Sequence, residues 1–297
     1  MAKPMKIAVI GGSGLGAALG GEDAAATHDV DTPFGKPSCP IVETRWHGTA
    51  VLLLQRHGIG HTLNPGAVPY RANLFALKAL GATHVLASGA TGSLREDFVP
   101  GELVVCDQLI DRTRHRAGTF YEHAAVHVEF AEPFCPVMRR WLLAAADGMD
   151  TATRVHRAGT YVCMEGPAFS TAAESRMHRQ LGGDLIGMTA CPEAKLAREA
   201  ELAYALVAMP TDFDAWKPHD PDQSRESLLQ EIIGNLQKAT AANLALMKAA
   251  LADVSVLSEE TSPAHDALAL GIWSDKSKLD PAEIERLAPL WGRHFDA

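Results

Sequence analysis

Leu202 to Trp216, LAYALVAMPTDFDAW, is the stretch whose reading decides the fold. Leu202 to Met209 is an apolar run of strand length, and Pro210 and Thr211 are expected to end it. Asp212 and Asp214 follow, separated by Phe213. A buried strand that ends in acids matches the place where open α/β sheets hold ligands, beyond the carboxyl ends of the strands. Strand alternation would put Asp212 and Asp214 on one side of an extended segment. Two close carboxyls interact, so one can keep a proton above the usual range and deliver it to a leaving group. The competing readings are a solvated turn, or a helix N-cap at Asp214.

Outward from this stretch, one rhythm recurs: strand, small or polar tip, helix. Strands are expected at Lys6–Ile10, Val51–Gln55, Thr83–Ala87, Pro100–Asp107, Thr160–Met164 and Leu185–Thr189. Helices are expected at Tyr70–Leu80, Glu132–Met149, Ala172–Leu181, Cys191–Ala200 and Ser224–Leu251. This pattern predicts one α/β domain. After Ala252 the character changes. Val256–Pro263 reads as a linker, and Asp280-Pro281-Ala282-Glu283 reads as a helix start. The expected division is a main domain over 1–252 and an extension over 253–297 to which no function is assigned.

The strand tips carry the candidate chemistry. Gly11-Gly12-Ser13-Gly14 lets backbone amides approach an anion, and Ser13 adds a hydroxyl. The same stretch fits a loose dinucleotide fingerprint, Gly12-x-Gly14-x-x-Ala17, but Gly20–Asp31 behind it shows no apolar helix face. Arg56-His57-Gly58 closes the second strand, and a guanidinium suits bidentate contact with phosphate; a surface Arg beside a satisfied His is the plain alternative. Ser88 to Ser93 is another run of small residues able to form an anion nest.

Composition narrows the classes. The chain has 297 residues, 47% of them hydrophobic and 21% charged, enough for a sizeable core. Its formal net charge of -9 argues against a general nucleic-acid binder. No apolar run reaches membrane-helix length. The five cysteines are scattered, no CxxC or HExxH occurs, and no metal site is expected. MAKPMKIAVIGG lacks a signal-peptide layout, so a cytoplasmic protein with reduced thiols is expected.

Ten motifs in order resemble the trimeric purine nucleoside phosphorylases, and within them the branch that acts on 5'-methylthioadenosine. They are GGSGL (Gly11–Leu15), DTPFGKPS (Asp31–Ser38), RHG (Arg56–Gly58), GSLRE (Gly92–Glu96), the series from Asp107 to Thr113, FYEH (Phe120–His123), AEPFCP (Ala131–Pro136), EGPAFS (Glu165–Ser170), Met188-Thr189-x-x-Pro192-Glu193 and TDFDAWK (Thr211–Lys217). The resemblance runs from about Lys6 to Leu251. It implies a central mixed β-sheet flanked by helices, a homotrimer with sites near subunit interfaces, and phosphorolysis of the nucleoside to adenine and 5-methylthioribose 1-phosphate, a step of purine and methionine salvage. Inorganic phosphate would be a co-substrate, with no cofactor.

The resemblance also implies residue roles. Phosphate would meet Ser13, Arg56, His57, Gly89, Ala90 and Thr189. Met188 would lie under the ribose and Phe169 beside the nucleoside. Asp212 would protonate the imidazole-ring nitrogen of the purine, and Asp214 would accept from its exocyclic amine. An ionised carboxylate cannot donate to a carbonyl oxygen, so this pair favours adenine over 6-oxopurines. At the 5' end, His127 of an adjacent subunit, Leu228, Leu229 and Ser170 would face the methylthio group. Arg225 departs from the pattern, where a small apolar residue is usual, and opens the alternative of another 5' substituent, such as that of 5'-deoxyadenosine or adenosine. Gly89 and Thr91 also depart from the commonest residues at their places.

Overall fold

The computed structural model describes residues 5–12, 26–218, 222 and 224–295. At its centre lies β1 (Ile7–Gly11), paired in parallel with β4 (Thr49–Gln55) on one side and β5 (His84–Ser93) on the other. Side chains of β1 alternate between two cores. Ala8 and Ile10 join one; Ile7 and Val9 join the other. A strand buried on both faces needs this continuous apolar sequence.

From β1 the sheet extends through β4 to β3 (Ile41–Trp46) and β2 (Ala26–His28), both antiparallel additions. In the other direction β5 pairs with β10 (Leu185–Gly187), then β9 (Thr160–Cys163) and β7 (Gln108–Asp111). A branch leaves β5 through β11 (Ala203–Asp212) to β6 (Leu103–Val105) and β8 (Val155–His156). Parallel and antiparallel pairs coexist, so the sheet is mixed, as expected. The short strands β2, β3, β7 and β8 were not anticipated; they are half-buried edges and add-ons whose sequences lack a long apolar run.

Helices α1 (Tyr70–Ala79) and α4 (Ala190–Glu199) cover one face. Helices α2 (Pro136–Asp147) and α5 (Arg225–Ala252) cover the other. Helix α3 (Ala172–Gln180) starts with a capping box between Thr171 and Glu174. Helix α2 begins later than the expected Glu132, because Cys135 caps it and Pro136 occupies its first position.

Beyond Ala252 the chain turns back onto this body. The segment read as a linker contains α6 (Ser255–Glu259), whose Leu257 is buried with α2 and α5. Asp280 caps α7 (Pro281–Arg286) through the Ala282 N–H at 2.9 Å, as its sequence suggested. Trp291 closes α8 (Ala288–Trp291), fully buried in the same core as β1 and stacked near Tyr121. Glu201, at the α4–β11 turn, accepts from Arg293 at 2.8 and 2.9 Å and from the Leu268 N–H.

Glu199, at the end of α4, holds the loop before Tyr121 by accepting from the Phe120 N–H at 2.8 Å. Burial pushes its carboxyl up to about 7, against these hydrogen bonds. The folded chain therefore keeps a proton that the unfolded chain has lost once pH passes the ordinary carboxyl range. The stability from this group is present below that range and fades as pH rises towards 7. Glu199→Gln is expected to match the parent in urea titrations near pH 4.5, at the group's ordinary value, and to be more stable than the parent near about pH 8. Equal midpoints at both pH values would contradict the buried neutral carboxyl.

Candidate active site

The carboxyl ends of β1, β4, β9, β10 and β11 meet the middle of β5 around a cleft of about 550 Å³. Gly12, Arg56, His57, His61, Gly89 to Gly92, Met164, Phe169, Ser170, Met188, Thr189, Thr211, Asp212 and Asp214 line it. Strand β1 releases β5 after the Ile10–Ala87 pairing, which opens the edge of Gly89 and Ala90. Gly12 is needed here: a Cβ would lie 2.9 Å from the Ser88 carbonyl oxygen and 3.0 Å from Arg56 Nη1. Ser13 and the rest of the glycine turn lie outside the described residues.

Arg56 is fully buried at the floor. Its Nε and Nη2 donate to the two oxygens of Glu193 at 2.7 and 2.8 Å, and Nη1 donates to the Ser88 carbonyl at 2.8 Å. The bidentate edge expected to meet phosphate is thus taken by Glu193. A guanidinium has five N–H donors, so one N–H on each of Nη1 and Nη2 is not used by these three bonds. Burial works against the Arg56 charge, and Glu193 more than offsets it, raising its pKa. Tyr204 of β11 also donates to Glu193, at 2.8 Å.

His57 bonds through Nδ1 to the Leu63 carbonyl at 2.8 Å. Burial, with Arg56 beside it, lowers its pKa to about 4. It is therefore neutral near pH 7, with Nδ1 donating and Nε2 left as an acceptor. His61 stacks on it, with ring centroids 4.3 Å apart.

At the other end, β11 does not stop at Pro210. Its ladder with β5 shifts register between Pro210 and Asp212, which lets the strand pass the proline and run to Asp212. Asp214 opens a short 3₁₀ turn, Asp214–Trp216, at φ +47°, so extended alternation does not place it. Nor does Asp214 cap a helix; instead its N–H donates to Asp212 Oδ2 at 3.0 Å. Thr211 Oγ1 donates to Asp212 Oδ1 at 3.0 Å. Asn235 of α5 anchors the Thr211 carbonyl at 3.0 Å. Oδ2 of Asp214 is buried and has no hydrogen-bond partner among the described residues.

Of the residues singled out from sequence, Arg56, His57, Gly89, Ala90, Phe169, Ser170, Met188, Thr189, Asp212 and Asp214 come together here. Within one subunit His127, Arg225, Leu228 and Leu229 do not line the cleft. Arg225 is exposed at the first turn of α5, and Leu229 is 55% exposed. The helix instead presents Ile232 and Leu236, one and two turns further along. His127 lies next to the bridge between Val126 and Ile272, with its ring centroid 4.7 Å from that of Trp273.

Two residues behind the wall carry no obvious sequence signal. Glu193 stands in the quoted Pro-Glu motif, but only the fold shows its partner. Arg116 donates to the carbonyls of Met188, Cys191 and Glu165 at 2.5 to 2.7 Å, so it sets the path of the Met188–Thr189 segment. Among the described residues no cluster of three His, Cys, Asp or Glu side chains could hold a metal.

A model of the phosphorylase superfamily matches residues 6–252. This chain belongs to that superfamily. It is 45% identical over 293 residues to the S-methyl-5'-thioadenosine phosphorylase of Chloroflexus aurantiacus, covering 97% of this chain and 98% of the relative. That alignment includes most of the segment after Ala252, which the motif reading left outside the resemblance. A methylthioadenosine phosphorylase from an Antarctic soil metagenomic library superposes with TM-score 0.86 at 42% identity, covering 97% and 99% of the two chains. A mutant of the adenosine/methylthioadenosine phosphorylase of Schistosoma mansoni, in complex with methylthioadenosine, gives 0.77 at 37% identity, covering 87% and 93%.

In this superfamily member Glu193 holds a buried cation in place, so its removal leaves Arg56 charged and unpaired. Glu193→Ala is expected to cost about 3–5 kcal/mol of stability, read from chemical denaturation. A loss under about 1 kcal/mol would mean that water or another acceptor replaces the carboxylate.

Proposed function

We propose that this chain cleaves 5'-methylthioadenosine with inorganic phosphate, giving adenine and 5-methylthioribose 1-phosphate. One observation carries the reading: a single cleft joins an oxyanion end, built on Arg56, Gly89, Ala90 and Thr189, to the acid pair Asp212 and Asp214. The names of the full-length relatives support it. Phosphate at the first end attacks the anomeric carbon as the bond from that carbon to the purine breaks. Positive charge develops on the sugar and negative charge on the base. Asp212, with Asp214 beside it, faces the ring nitrogen that takes the proton. Asp214, which also lines the cleft, is the acceptor for the exocyclic amine, which selects adenine.

Phe169, Met164, Ile232 and Leu236 give the cleft an apolar wall suited to a methylthio group. Arg225 stands outside that wall, which favours methylthioadenosine over a more polar 5' substituent. Phosphate serves as co-substrate, and the chemistry calls for no cofactor.

Self-association as a homotrimer fits the surface. Phe169 at the cleft mouth is 84% exposed, and Leu270 and Trp273 beside His127 are 90% and 71% exposed. Docking the His127 surface of one protomer onto the neighbour's cleft would cover both apolar regions and complete the 5' end.

Adenine release from 5'-methylthioadenosine is expected to require phosphate and to be negligible from inosine. Asp212→Asn is expected to lower kcat by about 10²–10⁴-fold while the KM for phosphate changes little. Unchanged turnover in that variant would remove Asp212 from the chemistry.

A further inference from the structure

The phosphate end of the cleft lacks a free positive charge among the described residues. Arg56 is matched by Glu193, and His57 is neutral with its Nδ1 committed to Leu63. Backbone amides of Gly89 and Ala90 offer only partial charges. A phosphate dianion placed in a part-buried cleft with no net counter-charge is costly. One titratable cation-former remains at this end, and no role has been given to it.

His61 lines the same cleft and stacks on His57. Its backbone lies in the left-handed region, at φ +57°, which a non-glycine residue adopts at a cost. The loop that imposes this shape is closed on itself. Leu63 N–H donates to the His57 carbonyl at 3.0 Å, and His61 N–H to the Gly58 carbonyl at 3.1 Å. Gly58 and Gly60, at φ +74° and +75°, make the turns. The ring is thus held over His57 by a pre-formed loop and stands exposed at the cleft. The other titratable groups lining the cleft are Arg56 and His57 at the same end and Asp212 and Asp214 from β11, with Glu193 behind Arg56.

We propose that His61 binds the phosphate co-substrate as an imidazolium, supplying the positive charge that the Glu193-paired Arg56 does not. This rests on the phosphorolysis reading. No bond to the substrate is made at His61: its ring nitrogen takes up one proton from solvent when the anion binds and returns it when the anion leaves. His61 is a binding residue, so its loss acts on phosphate and not on the nucleoside.

The test uses the full chain and three forms: unaltered, His61→Asn, and His61→Lys, which restores a charge. Steady-state rates of adenine release give the KM for each substrate. Sulfate, an anion that does not titrate near neutrality, serves as a competitive probe of the phosphate end between about pH 6 and about pH 8. His61→Asn is expected to raise the phosphate KM about tenfold, with the methylthioadenosine KM within about twofold; His61→Lys recovers most of the loss. The sulfate inhibition constant of the unaltered chain rises with pH, and that of His61→Asn stays flat. A phosphate KM in His61→Asn within about twofold of the parent, or an unchanged pH profile for sulfate, overturns the proposal. Adenine release by the unaltered chain without phosphate would instead overturn phosphorolysis itself, an outcome the sulfate series does not share.

Discussion

The buried pair of Arg56 and Glu193 ties the architecture together. Arg56 leaves the end of β4, Glu193 comes from α4, the Ser88 carbonyl belongs to β5 and Tyr204 to β11. Three strands and a helix thus meet at one guanidinium, below the floor of the cleft. Both charges are fully removed from water. Such a pair gains little over an apolar replacement, because desolvation consumes most of the attraction. What it provides is position: the tips of β4 and β5 hold a fixed separation only while every donor and acceptor is met. The close approach of Gly12 to Arg56 Nη1 carries that constraint to β1.

The same pairing sets the electrostatics of the cleft. A lone buried arginine would make a strong phosphate trap, and tight ground-state binding does not accelerate the reaction. With Glu193 bound, the floor offers oriented donors and little net charge. The β5 edge at Gly89 and Ala90 and the histidines of the loop from His57 to Leu63 also line the cleft at this end.

How much of this was legible in the sequence depended on range. The α/β rhythm could be read because β1, β4, β5 and β11 are long apolar runs, buried on both faces. The edge strands were missed because Ala26–His28 and Gln108–Asp111 are half-exposed and carry no period. Strand β5 outran its expected end because small residues, read as a tip, still pair with β11 through Gly92. Of the ligand-facing residues, ten gather at the cleft. The supports Glu193 and Arg116 were invisible as such, since their partners lie 137 and up to 75 residues away in the chain. Within one subunit α5 turns Ile232 and Leu236 to the cleft: Leu228, Leu229, Ile232, Ile233 and Leu236 are all apolar, so composition alone does not say which of them face it. Only the anchoring of α5 at Asn235 settles that register.

The acid pair shows how a local irregularity becomes chemistry. A regular strand through Met209-Pro210-Thr211-Asp212 would lack the proline's N–H and keep the acids in strict alternation. The register shift after Pro210 removes the demand for that N–H and lets the chain turn at Asp214 into the left-handed region. That turn aims the Asp214 N–H at Asp212 Oδ2, and it leaves the other acid's Oδ2 buried without a donor. The two carboxyls thereby become unequal although they stand two residues apart. Asp212 accepts hydrogen bonds on both oxygens, whereas Oδ2 of Asp214 has no partner among the described residues. The difference between the two acids therefore follows from a proline near the end of β11 and the bulge that accommodates it.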